Sequence, residues 1–89
     1  MLKGNDNLLD GNLNKVNGNE NSVLGNENSL KGDENIVVGS KNTMAGNQNT
    51  ALGDENSIMG HRNYLRGNEN AVVGGENKLI GNQNEVTGN

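Results

Sequence analysis

The sequence predicts an all-β fold, a two-sided β-solenoid, and three periodic observations support that prediction. Glycine recurs every seven residues from Gly4 to Gly88 without a slip, and asparagine follows three residues later, from Asn7 to Asn84. The residue two places after each of these asparagines is apolar. The unit is therefore G-N/D-x-N-x-Φ-x, where Φ is apolar. Self-similarity at a fixed period is typical of repeat architectures.

Composition excludes the more common kinds of fold. Only 29% of the 89 residues are hydrophobic, with one tyrosine and no phenylalanine, tryptophan or cysteine, so neither an ordinary globular core nor a disulfide framework is available. A coiled coil needs two apolar positions per heptad, whereas this repeat has one. A glycine in every second helical turn would also cost about 1 kcal/mol relative to alanine. The regularity of the repeat argues against disorder.

A strand fits the segment x-N-x-Φ-x. Alternate side chains point to opposite faces, so Asn and Φ point inward and the three x positions point outward. The Gly-Asn or Gly-Asp pair suits a tight corner, because Gly adopts positive φ freely and Asn or Asp tolerates it. Five strand residues and a two-residue corner form one side of a flattened coil. Two heptads close a coil of 14 residues, and residues 1–89 form one domain of about six coils with two parallel sheets, a rod roughly 30 Å long.

Two inward rows hold the predicted coils together. The asparagine row is expected to hydrogen-bond its copies above and below or the backbone of the corner, as stacked asparagine ladders do. The apolar row fills the thin core and consists of Leu2, Leu9, Val16, Val23, Leu30, Val37, Met44, Ala51, Ile58, Leu65, Val72, Leu79 and Val86.

Three outward columns are expected on each sheet. The first column is charged or bears an amide: Asp6, Glu20, Glu34, Gln48, Arg62 and Glu76 on one sheet, and Leu13, Glu27, Lys41, Glu55, Glu69 and Gln83 on the other. The remaining columns are largely apolar or hydroxylic, and contiguous exposed surface of that kind tends to mark an interaction. One face combines Ser29, Thr43, Ser57 and Ala71 with Ala45, Met59, Val73 and Thr87. The opposite face carries Leu24, Val38, Leu52, Ile80, Ile36 and Thr50, interrupted by Tyr64 and Arg66.

The sequence offers no recognisable catalytic, metal or cofactor site. His61, the one histidine, occupies a corner and is interpreted as a replacement for Asn at positive φ. Calcium-binding β-rolls have a nine-residue period, and this repeat has seven. Phosphate cradles need a helix after the glycines. A net charge of −4 without a basic patch excludes a nucleic-acid partner, and no apolar run is long enough to predict a membrane span.

The heptads "GNENSVLG", "GSKNTMAG", "GNQNTALG" and "GNENAVVG" carry a resemblance to a known family. They are similar to the x-x-N-x-V-x-G repeats of the grass antifreeze, or ice-recrystallisation-inhibition, proteins of the perennial ryegrass type. The resemblance spans essentially the whole chain. It implies a left-handed β-roll with Asn7 to Asn84 as the ladder and Leu9 to Val86 as the core.

The resemblance also implies that ice is the partner and that one flat face binds it. The contact residues would be Ser29, Thr43, Ser57, Ala71, Ala45, Met59, Val73 and Thr87, without enzymatic activity. An extracellular or apoplastic location follows from the resemblance, although the chain contains no signal peptide. The alternative is a structural segment of a stalk, adhesin or filament that associates end to end or laterally. Its interface would be Leu24, Val38, Leu52, Ile80, Ile36 and Thr50.

Overall fold

The protein consists of two parallel β-sheets that face each other. The structure is a computed structural model that describes residues 2–88, with side chains from Gly4 onward. Within these residues one sheet has seven strands in sequence order, β1 Leu2–Lys3, β3 Lys15–Asn17, β5 Ser29–Lys31, β7 Thr43–Asn47, β9 Ser57–His61, β11 Ala71–Gly75 and β13 Glu85–Thr87. The other has six, β2 Leu8–Asp10, β4 Ser22–Leu24, β6 Ile36–Val38, β8 Thr50–Leu52, β10 Tyr64–Arg66 and β12 Lys78–Ile80. The all-β prediction is confirmed.

Each strand pairs in parallel with the strand 14 residues further along the chain. Thr43 lies beside Ser57 in the seven-stranded sheet, and Ile36 lies beside Thr50 in the six-stranded sheet. Two heptads therefore close one coil, as the sequence predicts. The molecule measures 29 × 20 × 12 Å, and the longest dimension matches about six coils at ~4.8 Å each.

The apolar row forms the core between the two sheets. Nine of its side chains are buried: Val16, Val23, Leu30, Val37, Met44, Ala51, Ile58, Leu65 and Val72. Leu9, Leu79 and Val86 pack against this cluster and are partly buried. The side chain of Leu2, the first residue of the predicted row, lies outside the described part of the chain.

The asparagine row forms a continuous ladder, as predicted. Asn49 is completely buried, and its Nδ2 donates to the carbonyl oxygen of Gly60 in the next coil at 2.8 Å. Its Oδ1 accepts from the backbone N–H of Asn63 at 3.0 Å. The same pair of contacts recurs from coil to coil, and no buried side-chain nitrogen or oxygen among the described residues lacks a hydrogen-bond partner.

The corners differ from the sequence prediction. Most strands are three residues long, not five, because each ladder asparagine lies outside the strand, and so does the residue before it. That residue, and not the Asn or Asp after glycine, adopts positive φ, for example 58° at Glu55. The corner is therefore the triplet Gly-Asn-Glu or an equivalent. The predicted first outward columns consequently line the two corners and do not lie on the sheet faces.

The glycine of the corner triplet is needed for the close approach of successive coils. Gly46 has φ of 123°, and a Cβ atom built there would lie 1.8 Å from the carbonyl oxygen of Gly60. No side chain fits at that distance. The seven-residue glycine spacing thus reflects backbone contact between coils as well as the turn itself.

A second ladder, not predicted from the sequence, runs along both corners. At most corners the backbone N–H after the glycine donates to the side-chain oxygen of the Asn or Asp one coil further, as Asp54 does to Asn68 at 2.8 Å. His61 and Gly75 interrupt this ladder, and β7, β9 and β11 extend through that corner instead. The interpretation of His61 as a positive-φ residue is wrong. His61 belongs to a strand, and Arg62 has the φ of 55°.

Candidate functional site

The outer face of the seven-stranded sheet brings the predicted contact residues together. Two columns of side chains project from this face. Register pairs Ser29, Thr43, Ser57 and Ala71 in one column and Ala45, Met59, Val73 and Thr87 in the other. Every one of these residues points away from the core, since the intervening Leu30, Met44, Ile58, Val72 and Val86 point inward.

The middle of this face is uncharged. Three neighbouring strands, β7, β9 and β11, supply Thr43, Ala45, Ser57, Met59, Ala71 and Val73. Met59 and Val73 expose 58% and 49% of their surface. Among the side chains that the structure describes on this face, the charged ones lie toward the two ends: Lys15 and Lys31 on β3 and β5, and Glu85 on β13.

The six uncharged positions form a regular two-dimensional array. Neighbouring strands place equivalent side chains about 4.8 Å apart, and outward residues on one strand are separated by roughly 6.6 Å. The backbone under the array is fixed by parallel pairing on both sides of each strand and by the buried asparagine ladder. The array is therefore preorganised, so binding a matching surface would require little further ordering.

The opposite, six-stranded face is more hydrophobic. Five of the eight large exposed hydrophobic residues in the described chain lie on it: Leu8, Leu24, Ile36, Val38 and Ile80. Leu52 and Thr50 are half-buried in the same two columns. Tyr64 also projects from this face, with the Nζ of Lys78 6.0 Å from its ring centroid. The face is thus less regular than its counterpart.

A shallow groove lies at the corner where the second ladder is interrupted. Its lining consists of Asn47, Gln48, His61, Arg62, Gly75 and Glu76. Arg62 and Glu76 form an ion pair at 3.7 Å with both side chains largely exposed. Such a solvated pair contributes little to stability. In the part of the chain that the structure describes, no three His, Cys, Asp or Glu residues are grouped to hold a metal ion.

The corner geometry changes the electrostatics of both faces. The predicted charged columns, such as Glu55 and Glu69, lie at the corners with φ near 58°. Each sheet face therefore presents two columns and not three, and carries fewer charges than predicted. The signal that could have revealed this was weak, because Glu, Gln, Lys and Arg have no marked preference for positive φ. Residues 2–88 contain no helix suited to crossing a membrane.

Comparison with known proteins agrees with this geometry. A search among curated proteins found no match. The family model of the grass antifreeze beta roll matches residues 1–89, the full length of the chain. The two-sheet roll of 14-residue coils and the buried asparagine ladder described above fit that description. The chain therefore belongs to the grass antifreeze beta-roll family of ice-binding proteins.

Proposed function

We propose that this protein inhibits ice growth and recrystallisation by binding ice through the outer face of the seven-stranded sheet. The observation that carries the proposal is the uncharged, regularly spaced array on β7, β9 and β11. The proposed contact set is Ser29, Thr43, Ser57, Ala71, Ala45, Met59, Val73 and Thr87.

Ice presents a periodic surface, so a protein that binds it gains from contacts repeated at fixed intervals. Each Thr or Ser hydroxyl can donate and accept a hydrogen bond, while the methyl groups of Ala and Val exclude disordered water. Single contacts of this kind are weak. A rigid array engages many of them at once without a further loss of conformational freedom, which favours tight adsorption.

Adsorption to ice accounts for inhibition in physical terms. A molecule held at the surface blocks the addition of water beneath it, and the ice front between bound molecules becomes curved. Curved ice is less stable than flat ice, so growth slows and the transfer of water from small grains to large ones is suppressed. No step of this process requires a cofactor or a chemical reaction.

The decisive experiment compares two matched substitutions on opposite faces. Thr43→Tyr places a bulky ring in the middle of the proposed contact array, whereas Thr50→Tyr makes the same change at the equivalent position of the six-stranded sheet. In a frozen sucrose film, Thr43→Tyr should raise the inhibitory concentration about tenfold or more, equivalent to a loss of at least ~1.4 kcal/mol of adsorption energy. Thr50→Tyr should leave that concentration nearly unchanged.

The control for both variants is the far-ultraviolet circular dichroism spectrum and the melting temperature, which should match the parent protein. Unchanged inhibition by a folded Thr43→Tyr variant would remove the seven-stranded face from consideration. Loss of inhibition only in Thr50→Tyr would assign ice binding to the opposite face.

Family membership favours ice binding over the alternative of a structural stalk or filament. An extracellular or apoplastic location is part of the proposal, since it is the location that the family suggests. Recovery of the protein in fluid washed from intact tissue, and not only from lysed cells, would support it.

A further inference from the structure

The six-stranded face has a composition unlike the seven-stranded face. It carries five of the eight large exposed hydrophobic side chains of the described residues, and Leu24, Ile36 and Val38 expose 41%, 46% and 38% of their surface at its centre. An apolar patch of this kind usually marks contact with a protein or a ligand. The proposed ice contacts leave this face unused.

The order of residues across the face is symmetric about β6. One column reads Asp10, Leu24, Val38, Leu52 and Arg66 from β2 to β10. The other reads Leu8, Ser22, Ile36, Thr50 and Tyr64 over the same strands. In each column, positions at equal distances from β6 carry residues that are alike or opposite in charge. The first column pairs an acid with an arginine and one leucine with another, and the second pairs a serine with a threonine and one large apolar group with another.

Asp10 and Arg66 are both exposed and lie on the first and fifth strands of this face. The single ion pair found among the side chains that the structure describes joins Arg62 to Glu76, at a corner. Neither Asp10 nor Arg66 is therefore paired within the protomer. The two charges are four strand spacings apart, about 19 Å, which is too far for them to meet in one molecule.

We propose that a second copy of this chain packs against the six-stranded face to form an antiparallel, twofold-symmetric dimer. The twofold axis lies between the six-stranded sheets of the two protomers and runs parallel to β6. It places Asp10 opposite Arg66 of the partner and Leu24 opposite the partner's Leu52. Val38 and Ile36 each face their own copy, and Ser22 faces the partner's Thr50. This is an isologous interface, in which the same patch is used twice.

Charge selects this register over its neighbours. Moving the axis to the space between β6 and β8 would place Arg66 opposite Leu24 and Asp10 opposite Ile80, which leaves both charges unpaired against apolar groups. A parallel arrangement, with the axis along the length of the solenoid, would exchange the two columns. It would place Asp10 opposite Leu8 of the partner and Arg66 opposite the partner's Tyr64, so neither charge would meet an opposite charge.

The size of the interface predicts a weak dimer. Five overlapping strands span about 24 Å, and the molecule is 20 Å wide. The footprint is thus roughly 500 Å² per protomer, or about 1,000 Å² in total, at the lower limit of specific interfaces. The dimer would leave both seven-stranded faces outside and free, so it is compatible with ice binding through those faces and rests on that part of the proposed function.

Sedimentation equilibrium above freezing, from about 20 μM to 1 mM protein in low salt, tests the proposal. The parent chain should show a monomer–dimer equilibrium within this range. Arg66→Asp creates two Asp–Asp contacts per dimer and should weaken association about tenfold or more. Asp10→Arg combined with Arg66→Asp exchanges the two charges and should restore association to within about threefold of the parent.

Arg62→Asp is the matched control, because it makes the same change in net charge at a corner, away from the face. It should leave the dimer intact. Val38→Lys offers an independent test, since it places two ammonium groups against each other at the axis and should abolish association. Circular dichroism must show that each variant is folded.

A parent chain that stays monomeric at 1 mM would overturn the proposal. So would equal weakening by Arg62→Asp and Arg66→Asp, which would indicate a general effect of net charge. Failure of the double exchange to restore the dimer would rule out the antiparallel register. A dimer indifferent to both Arg66→Asp and Val38→Lys would place the interface elsewhere.

Discussion

At the scale of single residues, the buried asparagines join successive coils through side-chain hydrogen bonds. Asn49 receives no solvent exposure and makes three side-chain hydrogen bonds to the next coil, one to Gly60 and two to Asn63, at 2.8–3.2 Å. Apolar side chains could fill the same space, but they would leave a buried carbonyl and a buried N–H without partners. An unsatisfied buried group costs about 1–3 kcal/mol.

Replacing Asn49 by leucine should therefore be strongly destabilising. The two orphaned backbone groups outweigh the gain from burying an apolar side chain, so the net loss is about 2–4 kcal/mol. For a domain of this size that corresponds to a fall in melting temperature of at least about 10 °C. Thermal denaturation followed by circular dichroism measures it.

Glu55→Leu is the control for this substitution. Glu55 lies at a corner with φ of 58°, and Leu13 already occupies the equivalent position with φ of 59°. The chain therefore tolerates leucine there, and the melting temperature should change by only a few degrees. Equal melting temperatures for Asn49→Leu and Glu55→Leu would contradict the structural role of the ladder.

At the scale of elements, the corners carry most of the charge, and one corner concentrates a single sign. Asp6, Glu20 and Glu34 follow one another at intervals of one coil, each with φ near 57°. Their backbone positions are about 4.8 Å apart, so neighbouring carboxylates repel each other. Further along the same corner, Gln48 separates Glu34 from Arg62, and the repulsion ends there.

Glu20→Lys should stabilise the protein by changing two repulsive contacts into attractive ones. We expect an increase in melting temperature of about 2–5 °C in low salt, because exposed charge pairs contribute only modestly. The increase should shrink in ~0.5 M salt, where screening is strong. Gln48→Lys is the control, since its neighbours Glu34 and Arg62 have opposite charges that cancel. Equal increases in both variants would point to a cause other than charge.

The corners also show what could and could not be predicted from the sequence. The phase of Gly46, Asn49 and Ala51 predicted the glycine bend, the inward ladder and the core, because only those residue types satisfy those environments. The strand boundary could not be predicted. Glu55 has the outward phase of a strand residue, and nothing in its side chain indicates a positive φ. That error placed the charged columns on the faces.

His61 illustrates a second limit. Its place in the heptad indicates a corner, and its residue type tolerates positive φ. The structure shows an extended backbone at His61, where the second ladder is interrupted and β9 continues into the corner. This ladder depends on contacts between residues 14 positions apart, and local sequence preference does not report them.

At the scale of the whole molecule, a solenoid separates stability from surface function. Each coil contacts only its neighbours, so coils can be added without disturbing distant ones. Every heptad satisfies the same inward positions, whichever sheet it joins. The outward columns, in contrast, depend on which heptads share a sheet. Insertions of one heptad and of two heptads should therefore affect stability similarly and ice binding differently.

Duplicating residues 43–56 adds one complete coil and keeps every downstream strand on its original sheet. The proposed contact array gains one further threonine and alanine, so the inhibitory concentration in a sucrose film should fall severalfold as more contacts act together. The melting temperature should stay level or rise, because one more coil interface is formed.

Duplicating residues 50–56 alone moves every downstream strand to the opposite sheet. Thr43 would then neighbour Thr50, followed by Tyr64 and Arg66, and the uncharged array would be divided between two faces pointing in opposite directions. The melting temperature should remain near that of the parent, while inhibition of recrystallisation should fall about tenfold, comparable to the loss of ~1.4 kcal/mol of adsorption energy. If both duplications improve inhibition equally, ice binding depends on length and not on the seven-stranded face. If duplication of the single heptad unfolds the protein, the inward rows of the two sheets are not interchangeable. The 14-residue coil, and not the heptad, is then the unit of the fold.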